Sequence, residues 1–224
     1  MKDAVIVALG RSAIGKAPKG VFRLSRPEDI GAQVLSGVLK QVPQLDARHI
    51  DDVIVGCAFP EAEQGMNLAK IVISKAIPGV DIPGQTVNRF CSSGLQTIAT
   101  AANAIMAGQA EGIIAGGIEL MSTIPMGGNI VAPNPDLIQS QPDAYTAMGI
   151  TAENVAEQYG VTRRMQDEFS MESHRRANAA RTEGKFAQEI IPVEAVTTYV
   201  DETGHTRMGL RTVAEDEGIR PQTT

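Results

Sequence analysis

Gln85-Thr86-Val87-Asn88-Arg89-Phe90-Cys91-Ser92-Ser93-Gly94 changes its periodicity in the middle, and the fold class follows from that change. Gln85 to Phe90 predicts a strand. Ser92 to Ala107 predicts a helix, with Gly94, Ala99, Ala101, Ala102 and Ala104 leaving room for close packing, and Gly112 to Ile118 predicts a further strand. A strand, a helix and a second strand within so short a stretch make a parallel crossover unit. The same alternation runs upstream, where Ala4 to Ala8 and Val53 to Phe59 predict strands, the second apolar on both faces, and Leu68 to Ile77 predicts a helix. Ser25 and Glu28 have capping-box spacing with Pro27 in the first turn, and Ile30, Val34, Leu35, Val38 and Val42 mark the buried stripe of the helix that follows. Residues 1–120 therefore predict an α/β layer structure.

Beyond Met121 the pattern is lost among Pro125, Gly127, Gly128, Pro133, Pro135 and Pro142, which predicts a long loop and a domain boundary, with 121–224 as the second part. Thr151 is placed to cap a helix through Tyr159, and Thr162 to cap a longer one carrying Phe169, His174 and Ala177 that stops at Gly184. Glu189 to Val200 and the segment after Asp201-Glu202-Thr203-Gly204 predict two strands joined by a turn. No internal repeat or low-complexity tract is present.

The chain has 224 residues, 43% hydrophobic and 21% charged, the composition of a soluble globular protein that buries a core. The uncharged run between Arg89 and Glu111 is diluted by Ser92, Gln96, Thr100 and Asn103, which predicts a buried helix and no membrane span. Met1-Lys2-Asp3 leads directly into an apolar strand without the layout of a signal peptide, so a cytoplasmic protein is expected. A net charge of −6 argues against general attraction for nucleic acid or an anionic membrane, so an anionic ligand must meet local basic groups. With 4% aromatic residues and no Trp, stacking platforms for single-stranded nucleic acid are not expected either. The two cysteines, Cys57 and Cys91, read as free thiols.

Cys91 stands where a strand ends and a helix begins. A thiol there feels the positive end of the helix macrodipole, which favours thiolate, and nearby N–H groups can stabilise an oxyanion when sulfur attacks a carbonyl. The competing reading is a small buried cysteine. Cys57, inside an apolar strand with no helix start behind it, reads as structural. Gly10-Arg11-Ser12-Ala13-Ile14-Gly15-Lys16 nearly spells a phosphate-binding loop, but Ala17 replaces the magnesium-binding hydroxyl, and Pro18, Lys19 and Gly20 oppose the helix that should follow. His49, His174 and His205 have no ligand spacing with each other or with the cysteines, and no metal site is expected. Cys91 thus lacks an evident base.

These residues resemble the amino-terminal portion of the thiolases, the acyl-CoA:acetyl-CoA C-acyltransferases, over essentially the whole chain. Asn88 to Gly94 is similar to the family's nucleophile motif, and Gly116-Gly117-Ile118-Glu119-Leu120-Met121-Ser122 to its strand-ending motif. Thr151-Ala152-Glu153-Asn154-Val155-Ala156 matches a helix start in the family's loop domain, and Arg11 to Gly15 its opening turn. The resemblance implies a thiolase-like layered fold with an inserted α+β loop domain, incomplete here, that covers the active site and holds CoA. It implies that Cys91 attacks the keto carbon of a 3-ketoacyl-CoA, that acetyl-CoA leaves, and that a second CoA collects the acyl group; the reverse reaction joins two acetyl-CoA molecules. The Cys91 N–H is then part of an oxyanion hole, Met148 a pantetheine contact and Arg220 an adenine contact. CoA thioesters are substrates, no cofactor is implied, and a homodimer or homotetramer is. Ala147, where biosynthetic members often have histidine, and Ile124 to Asn129 point to the degradative branch.

The family's Gly-His-Pro histidine, its Cys-x-Gly-Gly-Gly cysteine and the asparagine motif of its other oxyanion hole do not occur in these residues, so the chain alone is expected to be inactive. Three rival readings remain at this point. A decarboxylating ketoacyl synthase of the same broad fold is opposed by the Thr151 helix start. A non-catalytic CoA or lipid carrier is opposed by the intact Cys91 motif. A folded fragment with an exposed apolar sheet edge would associate through that edge.

Overall fold

The computed structural model describes residues 3–224. The chain forms two compact units, one of Met1–Asn129 with Gln188–Gly218, the other of Ile130–Ala187 with Ile219–Thr224. This division differs from the one read at residue 120, because the chain returns to the first unit after the second is made.

The first unit is built on a three-stranded parallel sheet. Its strands are β1 (Asp52–Gly56), β2 (Gly84–Val87) and β3 (Ile113–Gly117), in the order β2-β1-β3, with Val55 opposite both Thr86 and Gly116. Val53, Ile54 and Val55 of the central strand are buried, as a strand covered on both faces must be. Helices α1 (Pro27–Leu39), α2 (Leu68–Ala76) and α3 (Ser93–Met106) belong to this unit. Ala32 and Leu35 of α1 and Leu68, Val72 and Ile73 of α2 meet Val53 and Val55 in the main core.

The hairpin of β4 (Val193–Val200) and β5 (Thr206–Val213) also belongs to the first unit. Val193, Ala195 and Val213 are buried with Ala13 and Phe22, and the Gln33 side chain bonds both the N–H and the carbonyl of Glu194, at 2.7 and 3.1 Å. Two strands cannot stabilise each other alone in water, so this hairpin needs the surface that α1 and the opening loop provide.

Several expectations are corrected by tertiary context. Ala4 to Ala8 forms no strand and pairs with no described strand, and Val5, Ile6 and Val7 are each 73% exposed. An apolar run supplies β propensity, but a ladder also needs a neighbour with free N–H and C=O groups. The first described bridge is Arg11 to Ile190. Ser25 does not cap α1: the N-cap is Arg26, the Ser25 hydroxyl accepts from Val196 N–H at 3.0 Å, and Glu28 pairs with Arg26. The strands at Val53 and Gln85 end at Gly56 and Val87, three residues short of the positions expected, because the chain turns toward the helices there. The run after Arg89 is helical but buried on one face only: Ser93, Thr97 and Ala101 are covered, whereas Leu95 is 71% exposed.

The second unit holds α4 (Pro135–Ser140), α5 (Met148–Tyr159) and α6 (Arg163–Thr182). Thr162 caps α6 as expected, its hydroxyl accepting from Met165 N–H at 3.3 Å. Thr151 does not cap α5, which begins at Met148; inside the helix its hydroxyl donates to the Ala147 carbonyl at 3.4 Å. Gly160 (φ +64°) closes α5 in the left-handed conformation that glycine adopts without steric cost. Among the described residues no helix is long and apolar enough to cross a membrane.

Candidate active site

The carboxyl ends of β1, β2 and β3 lie side by side, the usual place for chemistry in an open parallel sheet. Three non-glycine residues with positive φ, Ala62 (+43°), Met66 (+58°) and Phe90 (+47°), fall in the loops that leave β1 and β2 at this edge. Such conformations persist only where surrounding structure enforces them, and they cluster at functional sites.

Cys91 follows Phe90 in the β2–α3 loop and is exposed. The loop is held from within. Ser93 is buried, accepts from Arg89 N–H at 2.9 Å and donates to the Phe90 carbonyl at 2.6 Å, while the Ser92 hydroxyl donates to the Arg89 carbonyl at 2.9 Å. The start of α3 is pressed onto β1: a Cβ on Gly56 would lie 2.6 Å from the Ser93 carbonyl carbon. Thr97, fully buried, has its hydroxyl 2.8 Å from the Gly94 carbonyl and 3.0 Å from the Gly116 carbonyl of β3, and shares its one proton between them. The helix carrying the thiol at its tip is thereby fixed to two strands.

Cys57 is the contrast. It is buried just past β1, and burial, with the Glu119 carboxylate as the lesser cause, pushes its thiol up to about 11. Sulfur there stays protonated and unreactive at neutral pH. The two cysteines therefore differ as their positions in the sequence indicate: one exposed at a helix start, one buried.

Two further residues complete this edge. Gln64, fully buried, donates to Glu119 at 2.8 Å and to the Phe59 carbonyl at 3.0 Å, and accepts from Leu120 N–H. Glu119 also accepts from Ala58 N–H at 2.7 Å. Nothing in the local pattern around Gln64 marks it; its importance comes from residues more than fifty positions away.

The histidines do not join this site. Among the described residues none hydrogen-bonds the Cys91 thiol, and no cluster of His, Cys, Asp or Glu is arranged to hold a metal ion. His174, in α6, faces Arg220 through both ring nitrogens, with Arg220 N–H 3.2 Å from Nδ1 and Arg220 Nε 3.2 Å from Nε2. A neutral imidazole has one acceptor nitrogen, so it satisfies one of these donors at a time. Met148 opens α5 and is exposed. Cys91 thus lies in the first unit, and Met148 and Arg220 in the second. A concavity of about 610 Å³ in the second unit, lined by Asn154, Glu157, Val161 and Arg163 among others, includes none of the three.

In the opening loop the backbone amides of the glycine pattern already have partners. Asp216 accepts from Ile14 N–H at 2.8 Å, and Glu217 accepts from Lys16 and Val21 N–H at 2.9 and 3.0 Å. The amides that would cradle an anion are filled by the chain's own carboxylates.

Comparison with known proteins identifies the family. The family model described as thiolase, N-terminal domain, matches residues 4–224. A 3-ketoacyl-CoA thiolase of Bacillus subtilis is 48% identical over 225 residues, covering 100% of this chain and 57% of the relative. Proteins of the same name from Idiomarina loihiensis and Saccharophagus degradans are each 40% identical, covering 100% of this chain and 56% and 55% of their own lengths. The chain spans little more than half the length of these relatives.

Proposed function

Because this chain belongs to the thiolase family through its amino-terminal domain, we propose that it serves acyl transfer between CoA thioesters, with Cys91 as the nucleophile. The observation that carries the reading is an exposed cysteine at a helix start, fastened to two strands at the carboxyl edge of a parallel sheet. The Cys91 sulfur attacks the C3 carbonyl of a 3-ketoacyl-CoA; the C2–C3 bond breaks, its electron pair goes to C2, and protonation at C2 releases acetyl-CoA. The acyl-cysteine is then attacked by the thiol of a second CoA, which restores the Cys91 thiol. The reverse sequence is a Claisen condensation.

Both steps need proton transfer. No described histidine contacts Cys91, and Cys57 is a buried, protonated thiol, so we assign the proton-transferring groups to residues other than these and expect no turnover by this chain alone. In the same reading the CoA-covering loop domain, placed at 121–224 from the sequence, has as its compact part the second unit, residues 130–187 with 219–224, with Met148 against pantetheine and Arg220 against adenine. The protein works in the cytoplasm as a homo-oligomer, in the degradative direction to which Ala147 and Ile124 to Asn129 point.

The test is intact mass spectrometry after incubation with acetyl-CoA. Three proteins are compared: this chain, a chimera joining it to the remaining portion of the Bacillus subtilis relative, and the chimera carrying Cys91→Ser. An acetyl adduct mapped to Cys91 in the chimera, lost in Cys91→Ser and weak in the short chain, supports the proposal. CoA binding without any adduct on the chimera overturns it in favour of a non-catalytic carrier.

A further inference from the structure

We infer that Asn88 is a positioning residue for Cys91, acting by holding Phe90 in its left-handed conformation; the inference rests on the reading of Cys91 as nucleophile. The Asn88 side chain uses both ends of its amide. Nδ2 donates to the Ala58 carbonyl at 3.0 Å, and Oδ1 accepts from Phe90 N–H at 2.8 Å. Ala58 is itself held, its N–H donating to Glu119 Oε2 at 2.7 Å, and the other oxygen of Glu119 is held by buried Gln64 at 2.8 Å. Glu119 lies just past β3, Ala58 just past β1 and Asn88 just past β2. A single run of hydrogen bonds therefore links the three strand ends in their spatial order, β3 to β1 to β2, and finishes on the residue before the thiol.

Phe90 gives that run a purpose. Its φ of +47° is sterically unfavourable for a residue with a large side chain, and its ring is exposed and in tilted contact with Phe59, the centroids 6.1 Å apart. Left to itself the residue would relax to negative φ, and a rotation of that size redirects the chain at the next position and takes Cys91 from its exposed place. Only a side chain that both donates and accepts can bridge the Ala58 carbonyl and the Phe90 N–H. A carboxylate would set one oxygen against the carbonyl, and alanine would free both groups.

The test uses this chain and iodoacetamide at pH 7.5, following each cysteine by peptide mass spectrometry. Asn88→Ala is expected to slow alkylation of Cys91 by about fivefold or more while Cys57 stays unlabelled, which reports an intact fold. Adding Phe90→Gly to Asn88→Ala is expected to return the rate to within about twofold of the parent, because glycine adopts positive φ without the steric cost. A merely structural role for Asn88 predicts no such rescue. An unchanged rate in Asn88→Ala, or no recovery in the double variant, overturns the inference. Should Asn88→Ala label Cys57 as well, the unmutated chain decides: Phe90 N–H exchanging at least tenfold slower than an unstructured amide supports the inference, and exchange at the unstructured rate overturns it. Failure to form an acyl adduct, with these results intact, would count against the proposed function alone.

Discussion

Replacing Asp216 by alanine is expected to loosen the first unit, and to do so more than replacing Glu189. Asp216 accepts from Arg11 Nη1 and Nη2 at 2.7 and 2.9 Å and from Ile14 N–H at 2.8 Å, and its side chain is 10% exposed against 29% for Arg11. The paired carboxylates raise the pKa of Arg11 above the ordinary guanidinium value, Asp216 as hydrogen-bond partner being the largest cause and burial opposing it. Hydrogen bonds to charged groups contribute about 1.5–3 kcal/mol each. Three of them do not simply add: Arg11 keeps Glu189 at 2.7 Å, and its exposed part is resolvated. A net loss of about 3 kcal/mol remains, a fall in Tm of about 6–12 °C for a chain of this size. Glu189, 38% exposed, makes a pair of the weaker, solvent-screened kind, so Glu189→Ala is expected to cost about 1 kcal/mol or less. Thermal and urea unfolding followed by circular dichroism, with amide exchange at Ile14, measures both. Asp216→Ala within about 0.5 kcal/mol of the parent, or Glu189→Ala the more damaging of the two, would refute the reasoning.

Gly56→Ala places a methyl 2.6 Å from the Ser93 carbonyl carbon and is expected to cost about 1–3 kcal/mol in urea unfolding, with slower alkylation of Cys91 as the start of α3 is pushed from β1. Because burial holds the Cys57 thiol up at about 11, iodoacetamide at pH 8 should modify Cys91 in the native chain and reach Cys57 only after denaturation; equal labelling of both in peptide maps would contradict the site as described. In the β4–β5 turn, the Thr203 hydroxyl, the Arg207 guanidinium and the His205 amide hold the Asp201 carboxyl down at about 2. The folded turn thus prefers the carboxylate. Its contribution is complete above the unfolded value near pH 4 and is lost as pH falls toward 2, so hairpin amide exchange should quicken over that range in the parent and much less in Asp201→Asn.

The amino-acid sequence by itself determined those features that depend on local pattern. The all-apolar run at Val53 to Val55 reads as a strand covered on both faces, the spacing from Leu68 to Ala76 as a helix with one buried side, and the change of period at Cys91 as a strand-to-helix turn, and each forms. The burial of Cys57, next to an apolar strand, was legible for the same reason, whereas the sequence pattern left a buried Cys91 open and the structure shows it exposed. The proline-rich stretch marked the neighbourhood of a boundary. Tertiary structure decided whatever needs a distant partner. Ala4 to Ala8 has the composition of a strand, yet a ladder exists only where another strand offers its backbone, and none described does so. Ser25 has the chemistry of a cap, but the Val196 N–H, 171 positions away, takes its hydroxyl. Asp216 and Glu217 fill a loop that reads as a phosphate cradle, and Gln64 and Glu119 brace the strand ends behind the thiol; no window of sequence contains both members of any of these pairs. Propensity acts over a few residues, whereas a hydrogen bond or an ion pair depends only on distance in space, and that distance is set when the chain returns on itself.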